Sequence, residues 1–274
     1  MQRFLIITNA YKDNNLRLTK ELIAYITQKG GTCGYLLEAD VSEIPCDTEC
    51  ILVLGGDGTL IRAAAMVESL QIPLIGVNLG TLGYLCELEE TTVFSAIDRL
   101  MADDFMTEER MMLTGCPNGE HKARVALNDI VIHRTGDLSI LSIHVYVNGE
   151  FLNTYYGDGI IVATPTGSTG YNMSAGGPIV DPKAKMLLLT PINAHNLNSK
   201  SIVLDAEDEI EIEIGVRRAE NDEQASVSFD GDEVARLRVG ERFVISRASS
   251  VTTICKLSKK SFLQLLRKKM ETYT

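Results

Sequence analysis

The amino-acid sequence predicts an N-terminal α/β domain with an open, mostly parallel sheet, followed by a β-rich C-terminal domain. Over the first hundred residues, apolar runs of strand length alternate with helical patterns, which is typical of a parallel α/β sheet. After about residue 110, short strand-like segments follow one another instead. The chain has 274 residues, which is long enough for two domains of ordinary size.

The apolar runs of the first hundred residues define its elements. The pattern predicts strands at Phe4–Thr8, Cys33–Leu37, Cys50–Leu54 and Pro73–Asn78. It predicts helices at Leu18–Ile26, Ile61–Leu70 and Thr92–Met101. The pair Gly30-Gly31 provides a C-cap for the first helix. Cys50–Leu54 is apolar at every position, as expected for a strand that is buried on both faces of a parallel sheet.

The second part of the chain carries antiparallel signals. Asn148-Gly149 is a strong hairpin signal, and Glu209–Ile214 alternates charged with apolar residues, as a half-exposed strand does. Further strands are predicted at Val125–Ile132, Ile140–Val147, Val227–Phe229, Ala235–Val239, Phe243–Ser246 and Thr252–Lys256. The chain closes with an amphipathic helix that needs a partner surface for its apolar stripe, formed by Phe262, Leu263, Leu265, Leu266 and Met270.

The charge of the chain disfavours a nucleic-acid partner. The formal net charge is −11, whereas a phosphate backbone requires basic stripes. The one basic cluster in the sequence indicates the solvated face of the terminal helix, with phosphate or membrane contact as the alternative. It consists of Lys256, Lys259, Lys260, Arg267, Lys268 and Lys269. An acidic protein can still bind nucleotides through backbone amides, a metal ion or a few placed cations.

Targeting and cysteine signals indicate a cytoplasmic protein without a membrane partner. No apolar run reaches the roughly 18 residues of a membrane span, and the apolar stretch Phe4–Ile7 is too short for a secretory leader. The six cysteines form no CxxC pair and no zinc site, so we expect buried or idle reduced thiols.

The most informative segment is Gly55-Gly56-Asp57-Gly58-Thr59, between the buried strand and the next helix. Glycines there let backbone amides approach phosphates, and ligands of open α/β sheets bind beyond the carboxyl ends of strands. Thr59 is a natural N-cap. Asp57 is suited to accept a proton from an attacking hydroxyl, or to bind magnesium. The alternative, a hairpin turn at Asp57-Gly58, fits poorly because a strand and a helix flank it.

Two other segments suit a sugar and a base. The turn after residues 159–163 combines hydroxyls, an amide and an aromatic ring, namely Thr164, Thr166, Ser168, Thr169, Tyr171 and Asn172. Turn chemistry alone explains its glycines but not this concentration of donors. Asn128-Asp129 interrupts an apolar strand, so at least one polar side chain faces the core or a site, where ribose hydroxyls would satisfy it. A β-bulge or edge turn is the alternative for this pair.

Together these residues resemble the NAD kinase family. The segment Gly55–Thr59 is similar to the GGDGT motif that NAD kinases share with diacylglycerol and sphingosine-type lipid kinases and related phosphofructokinases. Motifs similar to those of NAD kinases specifically follow in the family's order and approximate spacing, at Asn78–Leu85, Asn128-Asp129, Thr164–Asn172 and Gly176–Pro178. Phe229-Asp230-Gly231 resembles the family's late Asp-Gly element. The resemblance covers nearly the whole chain.

The resemblance implies an architecture and an activity. The C-terminal helix would pack back on the first domain, giving an α/β domain of residues 1–108 and 257–274 and a β-rich domain of residues 109–256. The enzyme would transfer a phosphoryl group from ATP, or polyphosphate, to the 2′-hydroxyl of the adenosine ribose of NAD, giving NADP. Mg²⁺ or another divalent cation would be carried by the nucleotide phosphates, with no protein ligand assigned. Family members are typically homo-oligomers, here a dimer or tetramer.

The resemblance also assigns roles to residues. Asp57 would accept the 2′-hydroxyl proton, Asn128 and Asp129 would bind sugar hydroxyls, and Asp158 would bind the nicotinamide end. Thr169 and Tyr171 would bind the adenine end. The other expected substrate-binding residues are Gly55, Gly56, Gly58, Thr59, Thr166, Ser168 and Asn172.

The sequence departs from the family pattern at two positions, and it leaves two alternative functions open. Asp129, a shorter carboxylate, stands where the family commonly has Glu, and Gly170 stands where it commonly has Ala. A lipid kinase on the same GGDGT scaffold would need a membrane-facing surface. A non-catalytic dinucleotide-binding regulator would bind NAD without turnover.

Overall fold

The computed structural model describes residues 1–37, 41–80, 83–117, 124–135, 140–195, 199–216, 224–258 and 261–272. The chain forms two compact units. The first unit comprises Met1–Arg110 and Ser250–Thr274, and the second unit comprises Met111–Ser249. The first is α/β with a mostly parallel sheet and the second is β-rich, which confirms the predicted fold class.

The first unit is built on a parallel sheet. The helices and strands of its N-terminal part are β1 (Arg3–Thr8), α1 (Arg17–Gln28), β2 (Thr32–Leu36), β3 (Cys50–Gly55), α2 (Asp57–Met66), β4 (Leu74–Asn78), β5 (Leu88–Glu89) and α3 (Val93–Met101). The strands lie in the order β2-β1-β3-β4, with the short β5 added to β4. All six residues of β3 are buried, as its apolar sequence predicts.

The start of α2 differs from the sequence prediction. The helix begins at Asp57, its N-cap is Gly56, and the amide of Thr59 donates to the Gly56 carbonyl. The predicted N-cap at Thr59 was therefore wrong, because residues 57–59 already form the first turn. Asp and Gly disfavour a helix interior, but a carboxylate in the first turn interacts favourably with the helix dipole.

The second unit follows, with its first and last strands continuing into the first unit. The elements in chain order are β6 (Met106–Pro117), β7 (Arg124–Ala126), β8 (Asp129–Arg134), β9 (Leu141–Val147), β10 (Glu150–Gly157), β11 (Gly159–Ala163), α4 (Tyr171–Ser174), β12 (Met186–Ile192), β13 (Ile202–Asp205), β14 (Ile210–Gly215), β15 (Gln224–Phe229), β16 (Asp232–Arg238) and β17 (Arg242–Lys256). The C-terminal helix is α5 (Phe262–Thr272).

The second unit has one core between two sets of antiparallel strands. One set is the six-stranded sheet β13-β12-β11-β8-β15-β16, and the other runs β10-β9-β14-β17. Fully buried side chains from both sets, such as Ile160 and Ile212, belong to the same apolar cluster. The predicted hairpin at Asn148-Gly149 is confirmed: both residues have positive φ, at 51° and 79°, and they join β9 to β10.

Two predicted strand boundaries were wrong. The segment Val125–Ile132 is not one strand, because Leu127 and Asn128 leave the ladder between β7 and β8. The two short strands predicted near the C-terminus form the single strand β17.

Helix α5 contacts the first unit, as expected for a helix with an apolar stripe. The rings of Phe262 and Tyr84 lie 6.5 Å apart, and the Lys269 ammonium lies 4.5 Å from the centre of the Tyr84 ring. Leu263 and Met270 nevertheless stay exposed, so the stripe is only partly covered. Lys259 and Lys260 of the predicted basic cluster lie outside the described residues. Within the described ranges, every helix is too short or too polar to cross a membrane.

Candidate active site

The glycine segment of the first unit lies where three parallel strands end. Thr8 of β1 pairs with Leu54 of β3, and Gly55 pairs with Asn78 of β4. Because the strands are parallel, their carboxyl ends share one edge of the sheet, where ligands of open α/β sheets bind. Gly55 and Gly56 therefore join this edge of the sheet to α2, whose first turn contains Asp57, Gly58 and Thr59.

The Asp57 carboxylate is held by three successive backbone amides. The Tyr84 amide donates to Oδ2 at 2.5 Å, and the Leu85 and Cys86 amides donate to Oδ1 at 3.2 and 3.1 Å. A β-carbon on Gly83 would lie 1.9 Å from Oδ1, so the carboxylate can approach this segment only because residue 83 is glycine. The side chain at the predicted catalytic position is thus fixed in orientation. Thr81 and Leu82 of the same motif lie outside the described residues.

The Cys86 thiol is a buried neighbour of Asp57. Burial raises the pKa of Cys86 well above its usual value, and the negative charge of Asp57 adds to the rise. A thiol in this environment stays protonated, so it has little nucleophilic character.

Lys12 is a candidate site residue that the sequence analysis missed. A β-carbon on Gly56 would lie 2.9 Å from the Lys12 ammonium, and one on Gly80 would lie 3.8 Å from it. A cation therefore stands beside the glycine turn of an acidic protein. The signal was present in the sequence, since Lys12 follows β1 at the same sheet edge. Beside it, the Asn78 amide group donates to the Gly80 carbonyl at 3.0 Å and accepts from the Gly80 amide at 3.2 Å.

A cavity of about 470 Å³ adjoins this part of the first unit. Its volume falls within the range of small-molecule sites. It is lined by Asn78, Leu79, Gly80, Glu89, Glu90, Thr91 and Lys268, without Asp57.

The second unit has a cavity of about 370 Å³ that brings together several predicted residues. Asn128, just before β8, and Asp129, the first residue of β8, share it with Tyr171 of α4, although about forty positions separate them in sequence. The lining consists of Asn128, Asp129, Val131, His133, Tyr171, Ser228, Asp230 and Gly231. Tyr171 is 48% exposed, so its ring has a free face for stacking.

Among the buried polar atoms of the second unit that lack a partner within the described residues, two belong to predicted site residues. They are Oδ1 of Asn128 and Oγ1 of Thr166. A buried polar atom without a hydrogen bond costs roughly 1–3 kcal/mol. Ligand hydroxyl groups would provide the missing hydrogen bonds.

The Asp129 carboxylate is buried in this cavity. Burial, with the Asp230 carboxylate nearby, raises the pKa of Asp129 to about 7. Its ionisation therefore changes within the physiological pH range, and a perturbed carboxyl in a cavity is typical of a functional site.

Hydrogen bonds of two buried side chains hold the turn before α4 in place. Oγ of Ser168 bonds to both the carbonyl and the amide of Val180, at 3.2 and 3.1 Å. The amide group of Asn172 donates to the carbonyls of Ser168 and Pro178 and accepts from the Thr190 hydroxyl. Ser168 and Asn172 are fully buried, so their observed contacts fix the turn.

Thr169 and Gly167 complete the turn. The Thr169 hydroxyl lies 3.5 Å from the Thr166 carbonyl and is partly exposed. A β-carbon on Gly167 would lie 2.2 Å from the Asn128 carbonyl oxygen, so a glycine is required where the turn meets this segment.

Asp158 belongs to a separate polar cluster and does not line the cavity. Its carboxylate accepts from Arg134 Nε and from Asn193 Nδ2, both at 2.9 Å. The Asn193 hydrogen bond and the Arg134 guanidinium lower the pKa of Asp158, against an opposing effect of burial. The sequence motifs pointed to Asp158 but to neither of its partners, Arg134 and Asn193, which only the fold brings to it.

Comparisons with known proteins place the chain in a family. A sequence model of the ATP-NAD kinase N-terminal domain matches residues 35–105, and one of the ATP-NAD kinase C-terminal domain matches residues 127–257. The chain belongs to the NAD kinase family. The NAD kinase of Agathobacter rectalis is 66% identical over the whole of both chains. The NAD kinase of Lachnospira eligens is 41% identical, over 98% of this chain and 100% of that protein.

Solved structures of NAD kinases share the fold. Yeast NADH kinase, complexed with NADH, has a TM-score of 0.86 at 22% identity and covers 99% of this chain and 88% of its own. An NAD kinase from Archaeoglobus fulgidus in complex with ATP has a TM-score of 0.81 at 20% identity and covers 99% of both chains. These structures agree with the predicted fold, and the two family models and the 66% identical relative confirm the family predicted from the motifs.

Proposed function

We propose that the protein phosphorylates NAD: it transfers a phosphoryl group from ATP to the 2′-hydroxyl of the adenosine ribose, giving NADP. One observation carries the proposal within this kinase family. The Asp57 carboxylate stands at the carboxyl edge of a parallel sheet, in a glycine turn, and three amides fix its orientation. A positioned proton acceptor beside a phosphate-binding turn is what transfer to a hydroxyl requires.

The second unit would bind the dinucleotide. Asn128 and Asp129 would bind sugar hydroxyls, because Oδ1 of Asn128 is buried without a partner among the described residues. Tyr171 would stack on the adenine, with Thr169 beside it. Asp158 would bind the nicotinamide end with one of its remaining acceptor positions.

The first unit would bind the donor. The amides of the turn and the N-terminus of α2 suit phosphate, with Gly55, Gly56, Gly58 and Thr59 forming the cradle. The Lys12 ammonium would neutralise phosphate charge there. An acidic protein needs such local devices to bind an anionic nucleotide.

The mechanism follows from the chemistry of phosphoryl transfer. The transition state is loose, so positioning and charge stabilisation dominate. Asp57 would accept the proton of the attacking hydroxyl. The described residues hold no group of three or more His, Cys, Asp or Glu side chains placed to bind a metal ion. We propose that a divalent cation would be carried by the ATP phosphates and would supply neutralisation of the developing charge there.

A coupled assay of NADP formation tests the proposed function. Purified protein, Mg²⁺ and ATP are mixed with NAD or with NADH, and inorganic polyphosphate replaces ATP in a parallel series. NADP formation from NAD with ATP is the expected result. NAD binding without turnover in every series would show a non-catalytic regulator instead.

We also propose a cytoplasmic homo-oligomer, a dimer or tetramer. The edge strand β10 supports this, because its Phe151 and Tyr156 side chains are 53% and 42% exposed. Light scattering on the eluting peak of a sizing column measures the mass, and a monomer at assay concentration would contradict the proposal.

A further inference from the structure

The turn between β15 and β16 consists of two residues, Asp230 and Gly231. Phe229 pairs with Asp232 across it, and the turn residues have positive φ angles of 50° and 93°. This is the geometry of a type I′ hairpin turn, which accepts Asn-Gly at least as readily as Asp-Gly. The hairpin therefore explains a small polar residue at position 230 but not a carboxylate.

The Asp230 carboxylate binds three consecutive backbone amides of the dinucleotide-site segment. Its Oδ2 accepts from the Leu127 amide at 2.7 Å. Its Oδ1 accepts from the amides of Asn128 at 2.7 Å and Asp129 at 3.1 Å. The Asp230 amide donates in return to the Asp129 carbonyl at 3.0 Å. Leu127 and Asn128 lie between β7 and β8, so the sheet ladder does not hold them.

The opposite side of the segment is held by the turn before α4. The Thr164 amide donates to the Asn128 carbonyl at 2.8 Å, and the Thr164 hydroxyl donates to the Leu127 carbonyl at 2.7 Å. The Asp230 carboxylate thus binds the backbone amides of residues 127–129, and Thr164 binds the carbonyls of Leu127 and Asn128. Both sides of the backbone are fixed where the two predicted sugar-binding side chains begin.

The carboxylate at position 230 has an electrostatic cost. It shares a cavity with the buried Asp129, and two carboxylates near one another disfavour each other's ionisation. Burial raises the pKa of Asp230, the three amide bonds offset part of that rise, and the charge of Asp232 adds to it. An asparagine would satisfy the turn without this repulsion, so the carboxylate needs another reason to be there.

We propose that Asp230 is a positioning residue for the reaction, which holds the Leu127–Asp129 backbone so that Asn128 and Asp129 face the dinucleotide. The inference rests on the proposed function of this cavity. Asp230 acts through Asn128 and Asp129. Its effect is on binding of the ribose of NAD, not on binding of ATP.

The test compares Asp230→Asn with Asp232→Asn. Asparagine keeps the turn but turns an N–H group toward the Leu127 amide, so one hydrogen bond is lost and two donors meet. We expect KM for NAD to rise about 10- to 100-fold, with KM for ATP within about twofold. Asp232 is exposed two residues away and accepts none of the three amides, so its variant removes an equal charge as a control. We expect Asp232→Asn to leave KM for NAD, KM for ATP and kcat within about twofold of the wild-type values.

The pH profile adds a measurement that a loss of folded protein would not move. The titratable groups lining the cavity are Asp129, His133, Tyr171 and Asp230. Because the Asp230 charge contributes to the raised pKa of Asp129, Asp230→Asn should move the acid limb of kcat/KM for NAD to lower pH. The limb of Asp232→Asn should stay with the wild type.

A double-mutant cycle with Asp129→Asn shows whether Asp230 acts through the segment. We expect the effect of Asp230→Asn on NAD binding to shrink at least threefold once Asp129 is replaced. If Asp230→Asn folds poorly, Asp230→Gly, which also suits the turn, replaces it. Wild-type activity with an unchanged KM for NAD in Asp230→Asn would overturn the inference. Absence of NADP formation by the wild-type protein would instead refute the proposed function.

Discussion

Two Asp-Gly pairs, Asp57-Gly58 in the first unit and Asp230-Gly231 in the second, follow buried strands and hold backbone in the same way. Each carboxylate accepts hydrogen bonds from three consecutive amides, residues 84–86 in one case and 127–129 in the other. Their local structures differ, because the first pair opens a helix and the second forms a hairpin turn. The same dipeptide and the same hydrogen bonding therefore serve two different backbone conformations.

The element that follows each Asp-Gly pair determines what its carboxylate can do. After Asp57 the chain continues as a helix, so the carboxylate lies at the carboxyl edge of a parallel sheet, where ligands bind. After Asp230 it returns as an antiparallel strand, and the carboxylate supports neighbouring residues instead. We expect replacement of the first to impair the chemical step and replacement of the second to impair dinucleotide binding.

The largest expected effect is that of Asp57→Asn. Loss of the proton acceptor should lower kcat roughly 100- to 10,000-fold, while the Kd for NAD stays within about threefold. Steady-state kinetics and calorimetric titration with NAD measure the two quantities. A variant with nearly full kcat would show that Asp57 is not the base.

Asp13→Asn is the matched control for that prediction. Its carboxylate also holds backbone, accepting from the amides of Leu18 and Thr19 at 3.0 Å each. Because this carboxylate holds the start of α1, where it also accepts from the Thr19 hydroxyl at 2.6 Å, we expect a stability loss of about 1 kcal/mol with kcat within about twofold.

The next largest effects come from two glycines that contact these segments. A β-carbon in Gly83→Ala would displace the Asp57 carboxylate, so kcat should fall roughly 10- to 100-fold. One in Gly167→Ala would push against the Asn128 carbonyl, so KM for NAD should rise more than kcat falls. Gly34→Ala is the control, since its β-carbon would make an ordinary 3.6 Å contact with Leu5. If Gly83→Ala and Gly167→Ala changed kcat and KM for NAD by equal factors, the predicted difference in role between the two units would be wrong.

A smaller effect is expected from Lys12→Met. Loss of one cation beside the glycine turn should raise KM for ATP about tenfold, equivalent to about 1.4 kcal/mol, and leave Kd for NAD unchanged. Lys20→Met serves as the control, because the Lys20 ammonium bonds to the Asn15 carbonyl instead. A rise in the Kd for NAD with unchanged KM for ATP would contradict the donor role of the first unit.

The smallest expected effect concerns stability against pH. Since the folded state raises the pKa of Asp129 to about 7, folded protein binds a proton more tightly than unfolded chain, and this group destabilises the fold as pH rises from about 4 to 7. Asp129→Asn should therefore be more stable than wild type at pH 8, by about 1–3 kcal/mol, with the difference vanishing near pH 4. Denaturant unfolding at several pH values measures it.

Asp158→Asn should show the opposite dependence. The pKa of Asp158 is lowered in the folded state, so its ionised form stabilises the protein at neutral pH. The variant should be less stable than wild type at pH 7, and the deficit should shrink as pH falls below about 4. The same dependence for both variants would contradict the assigned environments.

Much of the fold was predictable because local sequence and tertiary structure agree. The apolar run at Cys50–Leu54 lies in a strand that is buried at every position, and Asn148-Gly149 forms the expected turn. The same agreement extends to the glycine turn, whose flanking strand and helix excluded a hairpin. The error at Thr59 concerned a helix boundary, because α2 begins at Asp57 and its N-cap is Gly56, three residues before the predicted cap.

The sequence specifies which residue types are available: a carboxylate in a glycine turn, a hydroxyl-rich turn with an aromatic ring, and an Asn-Asp pair within a strand region. The contacts of each one depend on the three-dimensional fold. Asp57 finds its amides about 27 residues away and Asp230 finds its own about 101 residues away. Hydrogen bonds between such distant segments depend on how the sheets bring them together, and no periodicity or local propensity encodes that separation.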